Sequence, residues 1–211
     1  MKHLFLAIIT IVLLAAINAC SNDDAPMPAY QFALADLSTD LTGTAYELTL
    51  DDGTSPTLAT AISRLKPDTT YRIQVAYVLN EGKAQVKSYT PILAPKVARY
   101  KAEVAYAHPL TVTTCWRAPH YINLQLSVKG TAKGVHYFGF NETDYRTNAD
   151  GTHTMCISLI HNQNSDPLYY SRTAYLSLPL RPLSELLRPD CDSIQLTINT
   201  FNGTETFKFK Y

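Results

Sequence analysis

His161-Asn162, with Asp166 five residues on and Tyr169-Tyr170 just beyond, is the stretch of this 211-residue sequence with most side chains able to act on a ligand. An imidazole and a carboxylate set across a turn can orient one another, and histidine changes charge near neutral pH. The same Asn and Asp can instead bond the backbone of their own loop, and turn chemistry favours that second role. Tyr169 and Tyr170 are neighbours, so on a strand one ring must face outward, where it could stack on a sugar or a protein partner. Single exposed aromatics are common on any surface. The candidate binding residues are therefore His161, Asn162, Asp166, Tyr169 and Tyr170.

Other chemistries find less support. Nucleophilic catalysis needs a nucleophile, a base and an orienting group that converge. There is no GxSxG, and Cys115 and Cys156 fall mid-strand, where a thiol is usually buried and inert. With Cys191 these cysteines leave two possibilities open: one disulfide plus a buried thiol, or three buried thiols. His108, His120, His136, His153 and His161 are scattered, with no HxH or HExxH. His153 and His161 share strand parity but lie roughly 26 Å apart if extended, too far to share an ion. Asn141, Glu142, Asp144 and Asp150 could crowd oxygens around calcium in the polar stretch 141–151. EF-hand spacing is missing, and a solvated loop is the expectation there. Glu47, Asp51 and Asp52 read as turn and surface carboxylates, not as the pair a glycosidase needs. Trp116 shares an apolar face with Val112 and is expected to anchor the core. The expectation is a protein with no catalytic residue, metal or cofactor.

Composition narrows the partners. Lys+Arg and Asp+Glu number 18 each, so no basic surface offers phosphate neutralisation, and nucleic acid is not an expected partner. Apolar residues make up 46% and charged residues 17%, which permits a packed core. The 14 tyrosines and frequent threonines favour strands.

The elements that must position these residues are short strands. Ala45 to Leu50 alternates, with Tyr46, Leu48 and Leu50 on one face, and Asp51-Asp52-Gly53 ends it as a turn. Tyr71, Ile73, Val75, Tyr77 and Leu79 share a side of the next strand, which turns at Asn80–Lys83. Residues 58–70 suggest one short helical turn before Pro67. Short, curled strands over some 65 residues suit a small barrel. Two prolines in Pro91-Ile-Leu-Ala-Pro95 mark a boundary. Beyond it, Leu110–Trp116, Tyr121–Val128, Val135–Phe140, Met155–Ile160, Ala174–Leu178 and Ile194–Thr200 read as strands. Thr206–Tyr211 closes a hairpin with Phe207, Phe209 and Tyr211 inward. Pro182–Leu187 suits a short helix. About seven antiparallel strands make a sandwich. The fold class is thus all-β: a small OB-like N-terminal barrel over 30–97, then an antiparallel β-sandwich over 98–211.

The first residues give an address. Lys2 precedes an apolar run of about 14 residues, Leu4–Ile17, right for a signal-peptide core and short for a membrane span. Ile17-Asn18-Ala19-Cys20 resembles the bacterial lipobox, in which the cysteine is acylated and the leader cut before it. That implies a signal peptide over 1–19, lipid attachment at Cys20, and membrane association through several acyl chains, each methylene adding about 0.8 kcal/mol. Residues 20–29 form a polar tether, extended by Pro26 and Pro28. Its Ser21-Asn22-Asp23-Asp24 looks like the acidic signal that sends some lipoproteins to the outer face of the outer membrane.

The order of motifs resembles the NigD-like lipoproteins of Bacteroidetes. It is carried by Leu48–Gly53 (LxLDDG), Tyr71–Tyr77, Pro91–Lys96, Trp116 with Tyr121-Ile-Asn-Leu124, His161-Asn162 ahead of Asp166, and the aromatic closing hairpin. The resemblance implies the barrel-plus-sandwich architecture and a proposed link to bacteriocin immunity. A non-catalytic, outer-membrane-anchored binding protein with a protein or glycan partner is expected, facing the surface or the periplasm. The alternatives are an accessory subunit of an outer-membrane surface complex, or an envelope or glycan hydrolase.

Overall fold

Alternating apolar residues and tight turns in the first half close a small barrel. The computed structural model describes residues 29–99 and 107–211; the leader, Cys20 and the tether up to residue 28 lie outside the described residues. Six strands form the first sheet: β1 (Gln31–Ser38), β2 (Ala45–Glu47), β3 (Thr49–Leu50), β4 (Thr57–Ile62), β5 (Thr70–Asn80) and β6 (Lys83–Pro91), in the order β2-β4-β6-β5-β1-β3. β2 and β3 are two halves of one extended segment. Its first half pairs with β4 and its second with β1, so the two edges of the sheet meet in residues 45–50. The β4–β6 pairing is parallel, and the others are antiparallel. Ala35, Leu37, Leu48, Ile73, Val75 and Ala84 are fully buried inside.

Two expectations for this half need correction. A register shift between Ala45 and Glu47 puts Ala45 inside and leaves Tyr46 exposed, so Tyr46 does not share the inner face of Leu48 and Leu50. The expected helical turn is instead β4, followed by bends, because Thr57–Ile62 is recruited by β2 and β6. Tertiary pairing outweighs a weak local helix preference.

The second half is two packed sheets. β7 (Val97–Ala98), β10 (Tyr137–Thr147), β11 (His153–Asn162), β13 (Ser193–Thr200) and β14 (Gly203–Lys210) form the order β14-β13-β11-β10-β7. β8 (Thr111–Arg117), β9 (Tyr121–Gly130) and β12 (Tyr170–Pro179) form the order β12-β9-β8. The core joins Ile122, Leu124 and Leu126 of β9 to Met155 and Ile157 of β11 and Leu196 of β13. Each such side chain contributes about 1.5–3 kcal/mol by burial. Phe207, Phe209 and Tyr211 pack against this core from the last hairpin. The sandwich is not purely antiparallel: β11–β13 and β10–β7 run parallel. Asn141–Thr147, expected as loop, is strand, with Asn141 and Glu142 buried. Pro182–Leu187 carries a short 3-10 turn at Arg181–Leu183.

Gln31–Tyr211 pack as one unit. The proline-marked connection runs along the sandwich. Ile92 donates its N–H to Arg72 O at 2.9 Å, and Leu93 accepts from Ser177 N–H at 2.9 Å. No described helix is long and apolar enough to cross a membrane.

Candidate functional site: an aromatic cleft beside a buried clamp

One guanidinium ties the barrel to the sandwich. Arg72, on β5, is nearly fully buried. Its Nη1 donates to Asp36 Oδ1 at 3.2 Å, its Nη2 to Asp51 Oδ2 and to Asn123 Oδ1 (3.1 Å), and its Nε to Ser177 Oγ at 3.1 Å. Asn123 Nδ2 donates to Asp51 Oδ2 at 2.7 Å, and Ser177 Oγ donates to Asn123 Oδ1 at 2.7 Å. The Arg72 guanidinium carbon sits 3.9 Å above the ring centre of Tyr121, whose hydroxyl donates to Asp36 at 3.0 Å. Burial raises the Asp36 carboxyl above its ordinary range, against the pull of Arg72 and the Tyr121 hydroxyl. A buried charge persists only when paired and bonded in this way. Asp51 is therefore not the turn or surface carboxylate expected of it. Its neighbour Asp52 does serve the turn, accepting from Thr54 N–H and hydroxyl at 2.8 and 2.7 Å. Gly53, at φ +88°, supplies the left-handed residue that the turn requires.

Beside this clamp lies an open cleft of about 510 Å³. On β9 the core takes Ile122, Leu124 and Leu126, so Asn123 and Gln125 face the other way, toward the barrel. Tyr175 of β12 stands opposite Gln125, and Trp116 of β8 stands opposite Asn123. All of these except Asn123 line the cleft, and β1 supplies Gln31 and Phe32 from the barrel side. Phe32 is 74% exposed, so its ring is open to solvent at the mouth of the cleft.

Trp116 is thus not the core anchor expected. A register shift between Val112 and Thr114 leaves an extra residue in β8. Such a bulge reverses the alternation beyond it. Val112 and Cys115 pack on the core, and Trp116 turns into the cleft.

The candidate residues of the polar loop lie elsewhere. His161 ends the inward row of β11 and is buried. Its Nδ1 meets His108 O at 2.8 Å and its Nε2 meets His136 Nδ1 at 2.9 Å. His136 Nε2 lies 3.1 Å from Asp166 Oδ2. His161 and Asp166 are thus brought together through His136, which the sequence did not single out. Burial lowers the His161 pKa to about 4, so the ring is neutral at pH 7. A carbonyl only accepts, so the ring proton sits on Nδ1 and Nε2 accepts from His136. Phe138 stacks flat on His161 at 4.9 Å.

Asp166 also accepts from Thr131 N–H (2.9 Å) and hydroxyl (2.6 Å), and these bonds hold its carboxyl below the usual range. A side chain at Gly134 would stand 1.8 Å from that carboxylate, and one at Gly130 would stand 2.2 Å away. The two glycines that bracket the β9–β10 turn are there for close approach. They were the available signal for this contact. Asn162 accepts from Asn164 N–H at 2.9 Å, within its own loop. Asp166 bonds across to a different loop, so the expectation that it serves its own turn is overturned. The chain His108 O–His161–His136–Asp166–Thr131 has a bonded partner at each end and fastens residues 161–168 to residues 131–136. Tyr169 and Tyr170 are both exposed, at 77% and 46%, because β12 begins only at Tyr170.

The remaining groups are spread out. Asp144 stands across from Cys156 on β10, Glu142 pairs with Arg99 at 2.9 Å, and Asp150 caps the turn at Thr152. Among the described residues no group of three or more His, Cys, Asp or Glu side chains is arranged to hold a metal ion. Cys115, Cys156 and Cys191 are all free thiols. Cys191 is exposed, so neither expected cysteine arrangement holds. Burial raises the Cys115 pKa to about 12. At the far end, Asp192 accepts from His153 N–H, Arg188 N–H and the Arg188 guanidinium. Led by the guanidinium, these bonds hold its carboxyl far below the usual range.

Residues 95–211 match the family described as the NigD-like C-terminal beta sandwich domain. No curated protein matches the chain. Solved structures share the fold across most of it. A NigD-like immunity protein from Bacteroides caccae is 22% identical, covering 87% of this chain and 98% of its own, with a TM-score of 0.65. A protein of unknown function from Bacteroides vulgatus is 16% identical, over 87% and 91%, with a TM-score of 0.64. A "Putative lipoprotein" from Bacteroides fragilis is 12% identical, over 87% and 98%, with a TM-score of 0.62. At these identities the likeness is one of fold.

Proposed function

The chain belongs to the NigD-like family, and from that premise we propose that it is a lipid-anchored, non-catalytic binding protein of the cell envelope, of the bacteriocin-immunity type. The observation that carries the binding reading is the open aromatic cleft next to polar clusters that are bonded within themselves. Asp36 and Asp51 meet on Arg72 instead of facing each other across open space, which disfavours the glycosidase alternative. The histidine chain ends on a carbonyl and on Thr131, whose hydroxyl donates to Asp166, and among the described residues no hydroxyl or thiol is bonded to the His136 or His161 ring. The anchor rests on Cys20 after its apolar leader. The family description, the B. caccae immunity protein and the B. fragilis "Putative lipoprotein" support the envelope and immunity readings.

Two measurements test the proposal. A clickable fatty acid should label the protein in cells, and Cys20→Ala should abolish the label. A deletion strain should survive less well in bacteriocin-containing supernatants of related strains. Persisting label would remove the anchor, and unchanged survival would remove the immunity role.

A second reading, a subunit of an outer-membrane surface complex, is favoured by the exposed run Leu168-Tyr169-Tyr170. Capture from native membranes with and without Tyr169→Ser separates the two.

A further inference from the structure

We propose that the cleft between Trp116 and Phe32 binds a neutral oligosaccharide, with the rings of Trp116, Tyr175 and Phe32 as platforms and Gln31, Gln74 and Gln125 as hydrogen-bonding partners. The inference deepens the binding reading above and rests on it.

Three observations point to this ligand class. The first is aromatic placement. The bulge in β8 turns Trp116 outward beside Tyr175, and Phe32 faces the same space from the barrel. A sugar ring presents flat patches of C–H groups that bury well on an aromatic face, as bodies with apolar sides and polar rims do.

The second is the set of amides. Gln31, Gln74 and Gln125 line the cleft, and among the described residues their side-chain amides have no protein hydrogen-bond partner. Of the three glutamines away from the cleft, Gln163 and Gln195 have such partners and Gln85 has none. An amide offers two donors and an acceptor, and a sugar hydroxyl is both donor and acceptor, so each can satisfy the other.

The third is charge. No Lys, Arg or His lines the cleft, so nothing there attracts a phosphate or a sulfate. Of the two carboxylates at its rim, Asp51 is paired with Arg72, and Asp52 accepts from Thr54, which keeps its carboxyl ionised. A hydroxyl-rich ligand without negative charge fits this lining better than an anion, and the amides and rings favour a sugar. A volume of about 510 Å³ is within the range of sites that take small molecules.

The chain contains one tryptophan, and it stands in this cleft, so its emission reports occupancy directly. The full mature protein, purified in detergent, is titrated with maltohexaose, cellohexaose, xylohexaose, mannohexaose and chitohexaose, with pentalysine as the basic-peptide arm. The expected result is a saturable shift of Trp116 emission with at least one of the sugars, together with protection from acrylamide quenching. Gln125→Ala and Phe32→Ala should each weaken that sugar about tenfold, the size of one lost hydrogen bond or ring contact. Phe32 is largely exposed, so its removal leaves folding intact. Lys208→Ala, on the last hairpin, should bind as the parent does. A shift with pentalysine and with no sugar overturns the glycan and keeps a ligand cleft. Silence from every sugar, while membrane capture still recovers a partner, overturns the inference and leaves the binding reading standing.

Discussion

Asp51 of the barrel accepts a 2.7 Å hydrogen bond from Asn123 of the sandwich, on the same oxygen that Arg72 grips. The cleft exists because this contact holds the two sheets at a fixed separation. Arg72→Ala would leave Asp36 and Asp51 without their cation. Breaking such a buried pair costs about 3–5 kcal/mol. Calorimetry should show one unfolding transition in the parent and a lower, split transition in the variant, as barrel and sandwich melt separately. A single transition at the parent temperature would contradict the clamp.

The histidine chain makes stability depend on pH. His161 titrates near 4 in the folded protein because it is buried, against about 6.5 in an unfolded chain. Below pH 6.5 the unfolded state takes up this proton first, so stability falls from there down to about pH 4. His161→Gln cannot be protonated and should flatten that part of the profile while lowering stability at pH 7 by about 1–3 kcal/mol. Denaturant melts at half-unit pH intervals would show it. A variant with the parent's slope would assign the pH dependence elsewhere.

Gly134→Ala tests the seat of Asp166. The added methyl collides with the carboxylate, which is itself held by Thr131 and His136. A loss of about 1–3 kcal/mol is expected, as for overpacking. Faster amide exchange over residues 161–168 should accompany it, with the barrel amides unchanged.

Thiol chemistry offers a check on burial. Cys191 is exposed, Cys156 is buried and receives Arg146 Nη2 at 3.0 Å, and the Cys115 thiol is raised to about 12. A maleimide at pH 7.5 should therefore label Cys191 and spare the other two until denaturant is added.

Much of this was legible in the sequence, and the failures share one cause. Strand alternation placed Ile122, Leu124, Leu126 and the last hairpin correctly, because a strand with one buried face repeats every two residues. The same rule failed at Trp116, where one inserted residue reversed the phase, and at Tyr46, where two steps along β2 span five along β4. Nothing in ATAIS-like or TVTTCW-like sequence announces a bulge. Asp51 looked like a turn residue because its partners Arg72 and Asn123 are 21 and 72 positions away. His136 was passed over for the same reason, lying 25 positions from His161. Gly130 and Gly134 look in sequence like ordinary turn glycines, although their use is to admit a carboxylate.

The proposed binding role is tested most directly by a photo-crosslinking residue placed at Gln125 in the full-length protein in living cells, with the same residue at Lys208 as the control. Gln125 faces the cleft, and Lys208 is exposed on the opposite sheet. The expected result is a light-dependent mass gain from position 125 that is absent at 208 and lost when Trp116→Ala is combined with it. No adduct at 125, or equal adducts at both positions, would contradict a ligand in the cleft.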